Sequence, residues 1–325
     1  MTSKELVHRA IAFESPPCIP RSSSRPERFD SDTLRIFTGR PAGFTPGAPR
    51  ADEWGCIKEK NIEGQAGFPV VNPLANWDNW DDYVFPDPYA KGRFDHIAHL
   101  VAQKDPRLSE QFVYTGIGPG PLTLASFLLG FENFLLTMAA DPERIAMIVA
   151  AHHKYMLGLA EQIAAYDCID AVFFWDDSAM QTGPFFSMDM WRAFFKTPLR
   201  ELCACIHAGG QKVLMHSCGN LKEHIAELHE CGVDILDSKQ PLLYLDAARA
   251  FRGKITFHSC LDYTVFARLP REQLTAQIED LIRALSGPAG GFIGTLNIMI
   301  DPGVPTENID AAWEAYRAFR WRDQA

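Results

Sequence analysis

The chain of 325 residues lacks an uninterrupted apolar stretch long enough to cross a bilayer, which takes about 20 residues. Its most apolar segment, Leu122 to Ala140, carries Glu132 and Asn133 in its middle, a pattern that indicates a buried helix. The first fifteen residues include Glu5 and contain no apolar run, so they do not resemble a secretory signal. We therefore expect a cytoplasmic protein that does not bind membranes.

An excess of positive charge is also missing. Lys and Arg total 31 whereas Asp and Glu total 41, which leaves a formal net charge of −10. Proteins that bind nucleic acids or anionic membranes over their surface usually carry the opposite balance. The charge therefore argues against both roles, and we expect a small-molecule substrate.

Cysteine is too sparse for a disulfide scaffold, since the chain has 8 cysteines in 325 residues. Without a secretory signal, the expected compartment is reducing. Free thiols in such a compartment are usually either buried packing residues or metal ligands. The sequence therefore directs attention to cysteines that lie near histidines.

From about residue 110, short apolar runs alternate with amphipathic helices, an order typical of a parallel sheet. We predict a (β/α)₈ barrel in a single domain over residues 1–325, with the unseen strands in the N-terminal part. An open doubly wound sheet is the alternative, but Gly116-Ile-Gly118-Pro-Gly120 lacks the third glycine of a phosphate loop. The strand candidates are Phe112–Gly116, Ala171–Trp175, Lys212–Met215, Asp234–Leu236, Lys254–Phe257 and Gly291–Gly294.

Residues 1–105 are predicted to form an N-terminal extension, and residues 106–325 the regular βα units. The extension contains a Pro- and Gly-rich stretch from Pro16 to Pro49 and an aromatic segment from Trp54 to Tyr83. Long loops rich in aromatic residues usually cover another part of the protein, such as a binding site. We expect the extension to cap one end of the barrel, and the sharper hypothesis is that it also lines a pocket.

Two His-x-Cys pairs come directly after strand candidates, where a barrel of this kind places its active site. His216 and Cys218 follow one strand, and His258 and Cys260 follow another. Because side chains alternate along a strand, both members of a pair can point to the same side. An imidazole and a thiolate together suit zinc, which takes three or four ligands. The pairs favour one zinc site, with core histidines beside buried cysteines as the alternative.

Other polar residues at strand ends are candidates for catalysis and substrate binding. Asp176 and Asp177 follow a strand, and adjacent buried carboxylates must be paired, metal-bound or raised in pKa. We predict that both are catalytic, with helix capping as the alternative. Gln181, Gln240 and Tyr114 are predicted to bind substrate.

Seven segments, spread over most of the chain, together resemble the uroporphyrinogen decarboxylase superfamily. That group includes true decarboxylases and zinc-dependent methyltransferases, which move methyl groups between corrinoid proteins and thiols. The chain is more similar to the methyltransferase-like branch, and the resemblance implies a (β/α)₈ barrel. The segments are MTSKELVHRAIAFESPPCIP, ADEWGCIKE, NPLANWDNWDDYVFPDP, GPLTLASFLLGFENF, FFWDDSAMQTGPFFSMDMWRAFFKTPLREL, VLMHSCGNLKEHIAELHECGVDILDSKQP and VPTENIDA.

The methyltransferase branch binds zinc with a His-x-Cys pair and a second Cys after the last strand. His216 and Cys218 match the pair, but the segment Gly294 to Met299 contains no Cys. Cys260 is the candidate for the missing ligand, and His258 for a fourth. The resemblance therefore implies a zinc-dependent methyltransferase, with one zinc per chain and a corrinoid protein as partner, as a monomer or a homodimer.

The decarboxylase branch uses an arginine pair in an N-terminal Arg-Gln-Ala-Gly-Arg motif and needs no metal. Arg21 and Arg25 reproduce the spacing of the pair, although three serines lie between them, so they are candidates for binding a substrate carboxylate. A metal-free decarboxylase of a uroporphyrinogen-like carboxylated substrate is therefore the first alternative. A non-catalytic ligand-binding barrel is the second, and the missing distal Cys favours it.

Overall fold

The computed structural model describes residues 1–25, 28–48, 50–59, 67–296 and 303–321. Its main sheet has eight parallel strands. In chain order they are Arg21–Ser23 (β1), Thr33–Phe37 (β2), Phe112–Pro119 (β3), Ala171–Trp175 (β4), Lys212–His216 (β5), Ile235–Ser238 (β6), Thr256–Ser259 (β7) and Phe292–Leu296 (β8). Neighbours in the sheet follow the order β1-β8-β7-β6-β5-β4-β3-β2.

Contacts between β1 and β2 join the two ends of this sheet. The backbone N–H of Asp32 donates to the carbonyl oxygen of Arg21 at 2.8 Å. The Asp32 carboxylate accepts the N–H of Arg21, also at 2.8 Å. The hydroxyls of Ser22 and Thr33 lie 2.8 Å apart. The predicted (β/α)₈ barrel is confirmed, and its two unassigned strands do lie in the N-terminal part.

Two predicted strand boundaries were wrong in a way that matters for the site. The strand expected at 234–236 extends to Ser238, so Asp237 lies inside β6. The strand expected at 254–257 extends to Ser259, so His258 lies inside β7. Both polar side chains face the barrel interior, where they contact each other. The strands continue through these residues because a polar side chain on the inner face does not interrupt the hydrogen bonds between the strand backbones.

Helices surround the barrel, and two short antiparallel hairpins lie outside it. The hairpins pair Ile57–Glu59 with Phe68–Val71, and Ala179–Met180 with Gly183–Pro184. The α-helices are Ser3–Ile11, Asp95–Ala102, Arg107–Glu110, Pro121–Leu129, Phe131–Ala140, Pro142–Ile163, Met188–Trp191, Thr197–Ala208, Ile225–Cys231, Leu245–Arg249, Tyr263–Arg268, Arg271–Leu285 and Thr306–Ala318. Two 3₁₀ turns cover Trp77–Asn79 and Pro241–Tyr244.

The sequence predicted single helices in two places where the structure has interrupted ones. Helices Pro121–Leu129 and Phe131–Ala140 meet at Gly130, whose φ of 83° does not continue a helix. Amphipathic spacing in the sequence also predicts one helix over Ser187–Ala208, and the structure interrupts it with a π-helical turn at Arg192–Lys196. Pro198 follows that turn, and because proline has no N–H, the regular hydrogen-bond ladder cannot run through it.

No single helix among the described residues is long and apolar enough to cross a membrane. The two helices on either side of Gly130 reach the required length and composition only as a pair. They are bent by 106° relative to each other. Most residues of the first of these helices are buried against the rest of the protein.

The N-terminal helix Ser3–Ile11 closes the amino end of the barrel. Its residues Val7 and Ile11 are buried in the apolar cluster that fills the barrel interior. Lys4 and His8 both contact the carboxylate of Asp170, at 2.8 and 2.9 Å, just before β4. The carboxyl end of the barrel is therefore the end where loops can build a site.

Candidate functional site

One row of side chains runs across four neighbouring strands at the carboxyl end of the barrel. Trp175 on β4 pairs with His216 on β5, His216 pairs with Asp237 on β6, and Asp237 pairs with His258 on β7. Paired residues of parallel strands point to the same face of the sheet. Two histidines and a carboxylate are thereby held side by side at the mouth of the barrel.

Three potential metal ligands converge at one end of this row. The ligand atoms of Asp177, His216 and Cys218 all lie within 4.8 Å of one another. His216 Nε2 is 3.2 Å from Cys218 Sγ and 3.8 Å from Asp177 Oδ1. The Asp177 side chain is 42% exposed and that of His216 is 14% exposed, so the group opens toward the barrel mouth.

The backbone after β5 folds so that Cys218 turns back toward His216. The N–H of Cys218 donates to Asp177 Oδ1 at 2.7 Å, and the N–H of Gly219 donates to Gln240 Oε1 at 3.0 Å. Gly219 has a φ of +87°, and a Cβ there would lie 2.2 Å from the carbonyl oxygen of Ala179. Only glycine fits this position, so the turn that presents the thiol depends on it.

Asp237 orients both histidines of the row. Its two carboxylate oxygens lie 2.7 Å from His216 Nδ1 and 2.9 Å from His258 Nδ1. Each ring therefore directs its Nε2 away from Asp237. His258 Nε2 is buried and has no hydrogen-bond partner within the described part of the chain. A carboxylate that holds one ring nitrogen while the other stays available is the usual second contact of a metal-ligating histidine.

Charges inside the barrel stabilise the ionised form of Asp237. Its side chain is 3% exposed, and Lys239 Nζ lies 3.3 Å from its Oδ1. Burial acts to raise its pKa, but Lys239, His216 and His258 hold that pKa well below its usual range. Burial likewise acts to lower the pKa of His216, and its neighbours Cys218 and Asp237 raise that pKa to about 10.

The arrangement of Asp177, His216 and Cys218 fits a tetrahedral zinc ion. With Zn–N and Zn–O bonds of about 2.1 Å and a Zn–S bond of about 2.3 Å, tetrahedral ligand atoms lie roughly 3.4–3.6 Å apart. The separations of His216 Nε2 from Cys218 Sγ and from Asp177 Oδ1, 3.2 and 3.8 Å, bracket that range. One thiolate, one imidazole and one carboxylate form a donor set that zinc accepts.

Cys260, predicted as a ligand from sequence, lies outside this group. Cys260 follows β7, which is separated from β5 by β6, and its sulfur is not among the ligand atoms that lie within 4.8 Å of one another. Cys260 is 1% exposed, and its burial raises its pKa to about 12. Asp177 follows β4, the immediate neighbour of β5, and its carboxylate lies within reach of His216 and Cys218. Residues 297–302, where the family pattern places its distal Cys, are outside the described residues.

Asp176 is in a helix-capping position, the alternative that the sequence left open. Its carboxylate accepts the N–H of Thr123 at 2.7 Å and that of Leu122 at 3.4 Å, at the start of helix Pro121–Leu129. Burial raises its pKa to about 7. The two adjacent carboxylates therefore diverge, with Asp176 buried under the helix and Asp177 at the barrel mouth.

The residues predicted to bind substrate are scattered. Tyr114 is buried inside the barrel, and Gln181 is exposed at the turn of the hairpin that follows β4. Gln240 supports the turn at Gly219. Arg21 pairs with Asp30 at 3.0 Å and lies 3.7 Å from Asp32, whereas Arg25 is exposed. The arginine pair expected from the decarboxylase pattern therefore does not converge on the row of β4 to β7.

A cavity of about 280 Å³ lies beside the row, between the ends of β2 to β4 and the N-terminal extension. Trp54 and Phe127 line it from outside the barrel, and Trp175 lines it from β4. Arg35 on β2 lines it as well, and the sequence reasoning missed this residue. The sharper hypothesis that the extension lines a pocket is confirmed.

Comparisons with known proteins identify one family. The model of the family described as "Uroporphyrinogen decarboxylase (URO-D)" matches residues 55–319. Two curated proteins named uroporphyrinogen decarboxylase, from Anaeromyxobacter dehalogenans (strain 2CP-C) and Anaeromyxobacter sp. (strain Fw109-5), are 25% and 24% identical over 271 residues. Each alignment covers 82% of this chain and 75% of the relative.

A solved structure of a methyltransferase from Methanosarcina mazei has a similar fold. Its TM-score is 0.73, its sequence is 14% identical, and the match covers 98% of both chains. At that identity the similarity demonstrates the shared barrel and does not transfer an activity.

Proposed function

Since the chain belongs to the uroporphyrinogen decarboxylase (URO-D) family, we propose that it is a zinc-dependent methyltransferase. It moves a methyl group between a small molecule or thiol and a corrinoid protein. The observation that carries this proposal is the convergence of Asp177, His216 and Cys218 within 4.8 Å. The solved methyltransferase of similar fold is consistent with it.

In this proposal Asp177, His216 and Cys218 hold the metal, and Asp177 takes the place that the sequence assigned to Cys260. When bound there, zinc would hold a thiol substrate as its thiolate at neutral pH. Asp237 fixes the His216 ring through Nδ1, so that Nε2 points to the shared site. Lys239 balances the buried charge of Asp237.

In the transfer, the lone pair of the thiolate sulfur forms the new S–C bond. The methylated corrinoid of the partner protein would supply the methyl group and keep the bonding electron pair, and the proton of the thiol would leave to solvent. The corrinoid protein must bring its cofactor to the barrel mouth, where Asp177 is the most exposed of the three ligands.

The first test is zinc content, measured by mass spectrometry after purification with zinc supplied. We expect about one equivalent in the wild-type protein and in Cys260→Ala, and less than about a tenth in Cys218→Ala and Asp177→Ala. Cys205→Ala is the matched control, because that half-buried cysteine lies in helix Thr197–Ala208, away from the row.

Wild-type protein with less than about a tenth of an equivalent would contradict the zinc site. Loss of zinc from Cys260→Ala with retention in Asp177→Ala would restore Cys260 as the ligand and remove Asp177. Transfer of a methyl group from a methylated corrinoid protein to a thiol is the activity assay that follows.

A decarboxylase is the second candidate, favoured by the names of the two curated relatives. The buried Asp176 carboxyl, whose pKa burial raises to about 7, is the group that such a reaction would use as an acid. The measurement is carbon dioxide release from uroporphyrinogen by folded protein. Release that persists in Cys218→Ala would support this candidate over the methyltransferase.

A further inference from the structure

Arg35 occupies an unusual environment for an arginine. Its guanidinium carbon lies 4.6 Å from the ring centroids of both Phe37 and Phe173, so the group is stacked between two aromatic rings. Its Nε is buried and makes no hydrogen bond with any described residue. Stacking positions a guanidinium but leaves its N–H donors unsatisfied, and those donors match a carboxylate or a similar oxyanion.

Arg93, which is fully buried, has a partner that the half-buried Arg35 lacks. Arg93 is 2% exposed, and its Nη2 lies 2.8 Å from Glu53 Oε2. No carboxylate within the described residues forms an ion pair with Arg35. Arg35 is half-buried, and its buried Nε has no partner among the described residues. Its guanidinium is therefore available to an anion that enters the cavity.

The two carboxylates in the cavity wall are already committed to other groups. Glu53 pairs with Arg93 and accepts the hydroxyl of Tyr155 at 3.2 Å. Asp52 Oδ1 accepts the backbone N–H groups of Trp54 and Cys56, at 3.0 and 2.9 Å. Neither carboxylate forms an ion pair with Arg35, which lines the same cavity.

The remaining wall of the cavity suits a flat, apolar ligand group such as an aromatic ring. Aromatic rings line it from several directions, and they are contributed by Phe37, Trp54, Phe127, Tyr155 and Trp175. Ligand sites commonly combine apolar walls with a few polar groups that fix orientation. The volume of about 280 Å³ accommodates a small molecule.

The cavity lies beside the strand that carries His216, one of the proposed metal ligands. Trp175 lines the cavity and pairs in the sheet with His216. The cavity is therefore adjacent to the row that carries the proposed metal ligands.

From this geometry we propose that Arg35 binds the oxyanion of a small aromatic acid whose ring occupies the cavity. The inference rests on the proposed function, and it names the class of small molecule that the same site accepts. A carboxylate and a sulfonate offer the same recognition chemistry to a guanidinium.

The test is calorimetric titration with benzoate, benzenesulfonate and the neutral analogue benzamide. We expect wild-type protein to bind one of the two anions at least about tenfold more tightly than benzamide, since hydrogen bonds to charged groups are strong. Arg35→Met should lose this preference and Arg35→Lys should keep part of it. Arg40→Met is the matched control, because Arg40 also lines the cavity but is exposed.

Equal binding of benzoate, benzenesulfonate and benzamide by the wild type would overturn the inference, as would an unchanged preference in Arg35→Met. If Arg35→Met does not fold, the wild type and Arg35→Lys still decide the outcome. The anion titration is repeated on Cys218→Ala, which should bind as the wild type does. Zinc binding without anion binding refutes only this inference, and anion binding without zinc refutes only the proposed function.

Discussion

The carboxylate of Asp237 determines how two histidines are presented at the barrel mouth. Its oxygens contact His216 Nδ1 and His258 Nδ1, and Lys239 compensates its charge. A metal-ligating histidine depends on such a partner for its tautomer and its ring orientation. Asp237 is therefore a positioning residue, and its removal should alter metal affinity without removing a ligand.

We predict that Asp237→Asn weakens zinc binding by about 10–100-fold, because the neutral amide no longer fixes the imidazole in one tautomer. Competition with a chromophoric chelator measures the change. Asp234→Asn is the matched control, since Asp234 Oδ2 lies 2.7 Å from His207 Nε2, outside the row. An equal loss of affinity in both variants would show that the effect is a general one on the fold.

At the scale of elements, the break at Gly130 sets the direction of two helices. Helix Pro121–Leu129 starts where Asp176 accepts its first N–H groups, directly beside the candidate site. The next helix, Phe131–Ala140, leaves at an angle of 106°. Gly130 has φ 83° and ψ 141°, a combination that side chains other than glycine rarely adopt.

Replacement of Gly130 by Ala is expected to lower the free energy of unfolding by about 1–3 kcal/mol, the cost of backbone strain at such a position. A Cβ there would also lie 3.3 Å from Asn72 Oδ1. Urea denaturation measures the change. Gly47→Ala serves as the control, because nothing lies within 4 Å of a Cβ at Gly47. Equal stability of the two variants would contradict the requirement for glycine at the break.

For the whole molecule, buried aromatic contacts join the N-terminal extension to the helices around the barrel. Trp54 of the extension packs against His152 and Tyr155 of helix Pro142–Ile163, with ring centroids 5.3 and 4.8 Å apart. Neither ring nitrogen of His152 has a partner among the described residues. Burial lowers the pKa of His152 to about 3.

This histidine should make the stability of the wild type fall in acid. Below about pH 6.5 the unfolded chain binds a proton at His152 while the folded protein stays neutral there down to about pH 3, so protonation favours unfolding. His152→Leu should remove up to ~1.4 kcal/mol of this fall per pH unit. Urea denaturation between pH 7.5 and about pH 5 measures it, and His153→Gln should retain the acid dependence. Parallel curves for the wild type and His152→Leu would refute the assignment.

Local patterns were sufficient for much of the fold. Six strands and the barrel class followed from alternating apolar runs, because each βα unit carries its own hydrophobic period. Strand β1 escaped that reasoning because it is only three residues long, all of them polar. The break at Gly130 escaped because an isolated glycine does not reveal its φ from sequence.

The sequence by itself determined the pair His216 and Cys218, since two residues separated by one along a strand end lie close in any fold of this class. Only the tertiary structure decided what completes the site. The order β4-β5-β6-β7 brings Asp177 next to the pair, inserts Asp237 between His216 and His258, and leaves Cys260 out of the group of ligand atoms that lie within 4.8 Å of one another. Strand order depends on packing over the whole chain, and no local spacing encodes it.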